Sequence, residues 1–333
     1  MNLLSTTGNR RIGLGCMNLS HAYGTPPDAA AAERLLLAAL DAGVTLFDTA
    51  ALYGFGANET LVGQVLKPHR NRIVLCSKGG MTGQPTGPGG ALQRVIDGRP
   101  AAIRRDVEDS LRRLQTDVID LYYLHRWHQL VPIEDSVGAM AELVRAGKLR
   151  ALGLSEVSAA TLKRAQAVHA VAAVQSEYSP WSREAEIAVL RACRETGVAY
   201  VAFSPLGRGF LTASPPDPAA LDAKDIRRSM PRFAPAADAA NRALLTQFQA
   251  IAAGLGITPA RLALAWVLSR GEHVLAIPGT TQVAHLHDNL GAAAVALPAA
   301  AVAQVDALFA PGAVTGGRYS AASQAEVDTE QFA

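Results

Sequence analysis

The feature that most constrains this chain is a unit repeated along its 333 residues: a short apolar strand, a turn and an amphipathic helix. The strands are rich in Val, Ile, Leu and Tyr and mostly lack polar alternation, which is typical of parallel strands covered on both faces. Eight are predicted, at residues 12–17, 45–48, 73–77, 118–124, 149–154, 172–175, 199–204 and 274–277. This alternation, without a break in composition, predicts an α/β fold in which residues 1–333 form a single (β/α)8 TIM barrel domain.

The main competing architecture is a doubly wound parallel sheet. It would be favoured by a glycine fingerprint that follows the first strand and opens a helix, but the sequence after Gly13 lacks the third glycine and no phosphate-binding GxxxxGK loop occurs. Glycines just past predicted helices mark their ends, at Gly43, Gly147 and Gly197. The predicted helices include residues 28–41, 101–114, 133–146, 158–168 and 183–195.

Two long segments stand outside the alternation of strands and helices. Residues 79–100 are rich in glycine and proline and predict a flexible loop, whereas the long, proline-containing stretch at residues 206–238 is predicted to form a functional lid. Both segments follow strands. They should therefore lie at the C-terminal rim of the barrel, where the active sites of barrel enzymes lie.

Composition limits the partners and the compartment of the protein. Hydrophobic residues make up 49% and charged residues 18%, which excludes a disordered chain. The net charge is only +2 and no charge block occurs, so neither a nucleic-acid surface nor a membrane patch is indicated. Three cysteines without metal-ligand spacing, no secretory signal and no run of about 18 apolar residues predict a cytoplasmic protein.

Polar side chains end several of the apolar strands. Asp48, Lys78 and His125 each follow such a strand, and Tyr53 lies in the loop after Asp48. Each residue also has a purely structural explanation. Asp48 could cap a turn, Lys78 could be solvated, His125 could be hydrogen-bonded within the fold and Tyr53 could pack in its loop. Because the C-terminal ends of barrel strands converge on one mouth, all four can meet in a single pocket.

The sequence around these four residues resembles the aldo-keto reductases, which are barrel enzymes that use NADPH. The likeness runs from residue 11 to residue 319, is strongest over residues 41–59, and places Asp48, Tyr53, Lys78 and His125 at the catalytic tetrad of the family. Further stretches resemble a branch that contains pyridoxal reductases and perakine-reductase-like proteins, at residues 153–156, 175–179, 204–211 and 230–233. That branch is mixed in substrate, so the resemblance names no particular carbonyl compound.

The roles of the tetrad follow from what carbonyl reduction needs: a hydride donor, a proton donor and a group that stabilises the developing oxyanion. A tyrosine with its ordinary pKa of about 10 is a reluctant acid at neutral pH, and a neighbouring ammonium lowers that pKa. We therefore assign Tyr53 as the general acid, Lys78 as the cation that lowers its pKa, and Asp48 as the carboxylate that orients Lys78. His125 would donate a hydrogen bond to the substrate carbonyl.

The resemblance also implies where a nicotinamide cofactor binds. Ser155 and Gln175 match the family's contacts to the carboxamide, where Glu156 replaces the usual asparagine, and Phe203 stands where an aromatic often packs on the nicotinamide. A glycine turn that opens a helix suits a phosphate group. The predicted cofactor contacts are Ser155, Gln175, Phe203, Ser204, Pro205, Leu206, Gly207, Gly209, Pro278, Gly279, Thr280, Thr281, Gln282, His285, Asp288 and Asn289.

NADPH is the predicted cofactor, with NADH as the alternative. Members of the family that prefer NADPH commonly carry cations at the positions of Gln282 and His285, which are not firmly charged here. The 2′-phosphate could instead be bound by Arg227, Arg228 or Arg232 from the long loop.

Substrate contacts are predicted for three residues just past strand ends, Trp127, His128 and Trp181, with packing against the rim as the alternative. Arg318 and Tyr319, near the C-terminus, either close over the pocket or dock the tail. The predicted partner is a small-molecule carbonyl compound, whereas the oligomeric state cannot be read from the sequence.

The sequence offers three alternatives to a metal-free reductase. Two histidine pairs, His125 with His128 and His285 with His287, have a spacing that could seat a metal, but neither has a carboxylate or cysteine to complete a ligand set, so no metal is predicted. A cofactor-sensing, non-catalytic subunit remains open, because potassium-channel beta subunits share this fold. A Schiff-base lyase with Lys78 as nucleophile also remains open.

Overall fold

A computed structural model describes residue 4 and residues 11–20, 22–87 and 90–332. The described residues form ten β-strands and eleven α-helices. The strands are β1 (Leu14–Gly15), β2 (Leu46–Asp48), β3 (Val74–Gly79), β4 (Met81–Pro85), β5 (Leu92–Ile96), β6 (Ile119–Leu124), β7 (Leu149–Ser155), β8 (Val171–Glu177), β9 (Ala199–Phe203) and β10 (Val274–Ala276). The helices are α1 (Ala29–Asp41), α2 (Ala57–Leu66), α3 (Pro100–Leu114), α4 (Ile133–Arg145), α5 (Ala159–Val168), α6 (Val189–Thr196), α7 (Pro235–Gly254), α8 (Pro259–Leu268), α9 (Val283–Gly291), α10 (Ala299–Leu308) and α11 (Ala321–Gln324).

Eight of the strands pair in parallel in the order β1-β2-β3-β6-β7-β8-β9-β10. Parallel bridges from Ile12 to Ala276 and from Gly15 to Gly279 join the first strand to the end of the last. The sheet is therefore closed, and the predicted (β/α)8 barrel is confirmed. The first strand is shorter than predicted because a 3₁₀ turn begins at Met17.

The interior of the barrel explains where the polar strand ends lie. Leu46, Cys76 and Tyr123 belong to an apolar cluster inside the barrel. Successive side chains of a strand point to opposite faces, so the next inward position lies two residues further along. In β2 and β3 these positions are Asp48 and Lys78, at the C-terminal mouth of the barrel.

Residues 79–100 do not form the irregular loop that their glycines and prolines predict. They contain an antiparallel hairpin in which β4 pairs with β5, with Met81 opposite Ile96 and Thr82 opposite Val95. The hairpin satisfies the backbone hydrogen-bonding groups that a loop would leave to water. Residues 88 and 89 of this segment lie outside the described part of the chain.

The other long segment, residues 206–238, holds no strand and runs through four 3₁₀ turns before α7 begins at Pro235.

The predicted helix at residues 183–195 is broken into a 3₁₀ turn at Glu184–Glu186 and helix α6. Gly43, Gly147 and Gly197 follow helices with positive φ, as predicted. No single helix among the described residues is long and apolar enough to cross a membrane, and α7 with α8 passes that test only as a pair bent by 86°.

Helices α2 and α3 approach so closely at Gly63 that a side chain has no room there. A Cβ atom on Gly63 would lie 2.6 Å from the Cα of Leu114 and 2.7 Å from the carbonyl oxygen of Arg113. Because these are backbone atoms, relief requires a shift of α3. We expect Gly63→Ala to lower the free energy of unfolding by about 1–3 kcal/mol in a urea titration.

Gly138→Ala is the matched control for this substitution. Gly138 lies inside α4, and a Cβ atom there would meet nothing within 4 Å. Alanine should therefore raise the free energy of unfolding by about 0.5–1 kcal/mol, because glycine is unfavourable inside a helix. Similar responses of the two variants would show that the α2–α3 contact is not close-packed.

Candidate active site

The four side chains predicted as a catalytic tetrad are brought together at the C-terminal mouth of the barrel. The Nζ atom of Lys78 donates a hydrogen bond to Oδ1 of Asp48, and also lies 2.9 Å from the carbonyl oxygen of Thr49 and 3.2 Å from the hydroxyl of Tyr53. The rings of Tyr53 and His125 meet edge to face, with centroids 5.9 Å apart. One ammonium thus links the carboxylate to the phenol.

Lys78 and Asp48 form a buried ion pair, with only 1% and 3% of their surface exposed. Burial opposes the charge of Lys78, but the charges and hydrogen bonds of Asp48 and Tyr53 together outweigh it and raise the pKa of Lys78 above its ordinary value. The second oxygen of Asp48 accepts a hydrogen bond of 2.8 Å from Nε2 of Gln175. Both carboxylate oxygens are therefore held in place.

The environment of Tyr53 acts on its pKa in two opposite directions. Burial raises the pKa of Tyr53 above its ordinary value of 10.0, and the charge of Lys78 opposes this rise without cancelling it. Lys78 thus lowers the pKa of Tyr53 as predicted, but desolvation, which a sequence does not measure, raises that pKa by more. At neutral pH the phenol therefore carries its proton, and the Lys78 ammonium keeps the pKa of the phenol lower than burial alone would set it.

A buried polar network behind the tetrad fixes the backbone that Lys78 contacts. The hydroxyl of Thr49 donates to Oδ1 of Asn58 at 2.6 Å, and Nδ2 of Asn58 donates to the carbonyl oxygen of Cys16 and to Oγ of Ser20, both at 2.8 Å. The sequence alone does not reveal this role of Asn58. Polar residues are common at the start of a helix, and the full burial of Asn58 and Glu59 is visible only in the structure.

A cleft of about 920 Å³ extends from the tetrad to the start of α9. Its size falls in the range of small-molecule and cofactor sites. Of the predicted cofactor residues only Gly207 is absent from its wall, because Gly207 packs against the ring of Trp181. The predicted residues in the wall are Ser155, Gln175, Phe203, Ser204, Pro205, Leu206, Gly209, Pro278, Gly279, Thr280, Thr281, Gln282, His285, Asp288 and Asn289.

The far end of the cleft presents the N-terminus of α9. No side chain caps this helix at Gln282, so its first backbone N–H groups are available to a phosphate oxygen. Asp288 is held by the opposite wall, because Arg261 lies 2.8 Å from its Oδ1 and Thr258 donates to its Oδ2 at 2.7 Å. The residues present therefore fit the phosphate end of a dinucleotide.

The three loop arginines predicted as alternative partners of a 2′-phosphate occupy different places. Arg232 is buried and donates to the carbonyl oxygen of Trp181 and to Oγ of Ser182, so it cannot reach the cleft. Arg228 is absent from the cleft wall and donates to a backbone carbonyl. Arg227 does line the cleft and lies 2.6 Å from Asp225.

Glu156, which stands where the family usually has an asparagine, is absent from the cleft wall. Its carboxylate pairs with the guanidinium of Arg318 at 2.7 Å and accepts the backbone N–H of Glu177 at 2.9 Å. Burial opposes the charge of Glu156, but Arg318 and Arg126, with the backbone N–H of Glu177, together outweigh it and lower the pKa of that carboxyl. Arg318 therefore docks the C-terminal segment, whereas Tyr319 lines the cleft.

None of the three predicted substrate contacts lies in the cleft wall. Trp181 is 2% exposed and stacks on Phe210 with ring centroids 4.2 Å apart, and Trp127 donates to the carbonyl oxygen of Val131 at 2.8 Å. Like these two, His128 is absent from the wall, so packing against the rim describes all three. The described residues hold no group of three or more His, Cys, Asp or Glu side chains able to bind a metal.

Residues that the sequence analysis missed line the cleft near the tetrad. They come from the loop after β2, the β4–β5 hairpin, the residue after His125 and the C-terminal segment. These residues are Leu52, Met81, Arg94, Arg126, Ser323 and Glu326. Only Arg126 had a signal in the sequence, because it directly follows a predicted tetrad residue.

Comparison with known proteins gives a consistent result. A model described as the Aldo/keto reductase family matches residues 11–310. The chain is 42% identical over 326 residues to the aldo-keto reductase yakc [NADP(+)] of Schizosaccharomyces pombe, covering 96% of this chain and 94% of that protein. It is 39% identical over 315 residues to a protein of Glycine max named "Probable aldo-keto reductase 1", with 93% and 88% covered.

Solved structures are similar over the same length. A glycerol dehydrogenase from Gluconobacter oxydans matches with a TM-score of 0.82 and 28% identity, covering 93% of this chain and 94% of that one. An aldo/keto reductase from Klebsiella pneumoniae in complex with NADP and acetate matches with a TM-score of 0.70 and 29% identity, covering 96% and 99%. The family model and the two sequence relatives therefore indicate one family, and the two solved structures are similar to this chain over more than nine-tenths of its length.

Proposed function

Because the chain belongs to the Aldo/keto reductase family, we propose that it is an NADPH-dependent oxidoreductase that reduces an aldehyde or ketone to the alcohol. The observation that carries this proposal is the buried Lys78–Asp48 pair, which contacts the hydroxyl of Tyr53 in the wall of a cleft large enough for a dinucleotide. NADPH bound in this cleft supplies the hydride.

Each residue of the tetrad then has one task. Tyr53 gives its proton to the carbonyl oxygen as the hydride reaches the carbonyl carbon, and it regains a proton from solvent afterwards. The ammonium of Lys78, 3.2 Å from the Tyr53 hydroxyl, stabilises the phenolate that remains. Asp48 and Gln175 hold Lys78 in position, and His125 orients the carbonyl by a hydrogen bond.

The geometry of Lys78 disfavours the Schiff-base alternative. A nucleophilic lysine needs a neutral amine, whereas three acceptors surround the Nζ of Lys78 and its pKa is raised.

A cofactor-sensing, non-catalytic subunit would differ from an enzyme in showing no steady turnover of carbonyl compounds. Steady oxidation of NADPH, followed at 340 nm with a panel of aldehydes, pyridoxal, quinones and sugars, would support the proposal, and its absence with every carbonyl compound would refute it.

The cofactor preference gives a second measurement. The relative from Schizosaccharomyces pombe carries NADP(+) in its name, and the free N–H groups of α9 suit a phosphate. We expect kcat/KM to be at least about tenfold higher with NADPH than with NADH, which corresponds to about 1.4 kcal/mol. A preference for NADH would refute the choice of NADPH while leaving the reductase proposal intact.

A further inference from the structure

Arg126 occupies a distinctive place in the cleft. It follows His125 directly, lines the tetrad end of the cleft and is half-buried. Its guanidinium donates one short hydrogen bond, to the carbonyl oxygen of His125 at 2.7 Å. Its contacts to Oγ of Ser155 and to the hydroxyl of Tyr319 are long, at 3.4 and 3.5 Å. Since a guanidinium has five N–H donors, most of its capacity remains available to a ligand.

The other arginines of the cleft wall differ from Arg126 in having acidic partners. Arg94 lies 2.5 Å from Glu326, Arg208 lies 2.7 Å from Glu177 and Arg227 lies 2.6 Å from Asp225. Within the described part of the chain, Arg126 forms no ion pair with any carboxylate. An arginine that is half-buried without a carboxylate partner is a natural site for an external anion.

The surroundings of Arg126 also carry an excess of positive charge. Arg318 pairs with Glu156 and Arg208 pairs with Glu177, and both guanidinium groups lie over the ring of Tyr319, at 4.6 and 5.4 Å from its centroid. These two pairs are neutral in sum, so Arg126 adds a net positive charge to this group, where it acts with Arg318 to lower the pKa of the Glu156 carboxyl.

We propose that Arg126, together with the hydroxyl of Tyr319, binds a carboxylate on the substrate, so that the preferred substrates are oxo acids rather than neutral carbonyl compounds. A carbonyl group held by Tyr53 and His125 would lie beside Arg126, and a carboxylate attached a few bonds away would form charge-assisted hydrogen bonds with its free N–H groups. This inference rests on the proposed reductase function and narrows its substrate class.

The test compares acids with their neutral methyl esters: 4-carboxybenzaldehyde and phenylglyoxylate, each against its ester, with NADPH saturating. For the unaltered protein, we expect kcat/KM to be at least about tenfold higher for each acid. Arg126→Gln should lower kcat/KM for the acids by roughly 10- to 100-fold, mainly through KM, because it removes hydrogen bonds to a charged group. The same variant should change the values for the esters less than about threefold.

Two further variants and a control keep this test sharp. Arg126→Lys retains the charge and should keep part of the preference for acids, and Tyr319→Phe should weaken acid binding only modestly. Arg104→Gln is the matched control, because Arg104 is exposed on α3 and pairs with Glu142 at 2.6 Å, far from the cleft wall. It should leave both classes of substrate unaffected.

Three results would overturn this inference alone, and a fourth would overturn the proposed function with it. If Arg126→Gln lowers the values for acids and esters equally, Arg126 positions the tetrad and does not select an anion. If it weakens NADPH binding in a fluorescence titration instead, the anion it binds belongs to the cofactor. If the esters are reduced as well as the acids by the unaltered protein, the substrate class is wrong although the reductase function stands. If the protein reduces none of these four compounds and no carbonyl compound of the wider panel, both the reductase function and the preference for oxo acids are refuted.

Discussion

Replacing Tyr53 with phenylalanine is expected to lower kcat for carbonyl reduction by about 10²–10⁴-fold, the range typical of a general acid. The hydroxyl is the group that Lys78 contacts at 3.2 Å, and no other phenol receives a hydrogen bond from that ammonium among the described residues. NADPH affinity should change little, because the ring remains and the phosphate end of the cleft lies elsewhere. Steady-state kinetics with a fluorescence titration of NADPH checks both expectations.

Tyr178→Phe is the control for this substitution. It removes a buried hydroxyl that donates to Glu186 at 2.7 Å outside the cleft wall. It should therefore lower stability by about 1 kcal/mol and leave kcat unchanged. If both tyrosine variants reduce kcat alike, the loss in Tyr53→Phe reflects damage to the fold.

The same assignment predicts how the rate of reduction depends on pH. The acid form of Tyr53 is needed, so activity is present below its pKa and is lost as the pH rises through it. Because burial raises the pKa of Tyr53 above 10.0, the loss that is due to this group should lie in the alkaline range. A fall in kcat centred near neutral pH would assign the proton to a different group.

Replacing Lys78 with methionine should affect both activity and stability. Turnover should fall by at least about 10²–10³-fold, because an ammonium that stabilises developing negative charge is lost. The variant also leaves the Asp48 carboxylate buried without its cation. Breaking a buried ion pair in this way costs about 3–5 kcal/mol of stability, which a urea titration would measure.

The double variant Asp48→Asn with Lys78→Met separates these two effects. It removes both charges, and Nε2 of Gln175 can still donate to an amide oxygen at position 48. Stability should return to within about 1–2 kcal/mol of the original value, because replacing both members of a buried pair is close to neutral. Activity should stay lost. A double variant as unstable as the single one would show that Lys78 stabilises the fold by contacts other than its ion pair.

The barrel and the tetrad could be predicted because their signals are local. A parallel strand buried on both faces is apolar throughout, and the residue that ends it must face the mouth, so Asp48 and Lys78 could be placed from single segments. The hairpin at residues 81–96 could not, because its stability comes from pairing between two segments that each contain turn residues. Glycine and proline indicate a break in regular structure, and they give no information about what pairs across it.

The parts of the site that the sequence did not predict depend on long-range packing. Tyr319 and Glu326 line the cleft from a C-terminal segment that Arg318 docks on the buried Glu156 and that Glu326 joins to Arg94. Trp181 follows a strand end, as a substrate contact would, but it is enclosed because Phe210 stacks on it. The pKa of Tyr53 depends on how much water its hydroxyl loses, which is a property of the assembled site.

The central claim is that the proton of Tyr53 reaches the carbonyl oxygen in the chemical step itself. Single-turnover measurement tests it most directly: enzyme preloaded with NADPH is mixed with excess 4-carboxybenzaldehyde, and the decay at 340 nm is followed by stopped flow. We predict a single decay in the unaltered protein that slows by at least about 100-fold in Tyr53→Phe at saturating aldehyde. An unchanged decay rate in that variant would show that another group supplies the proton.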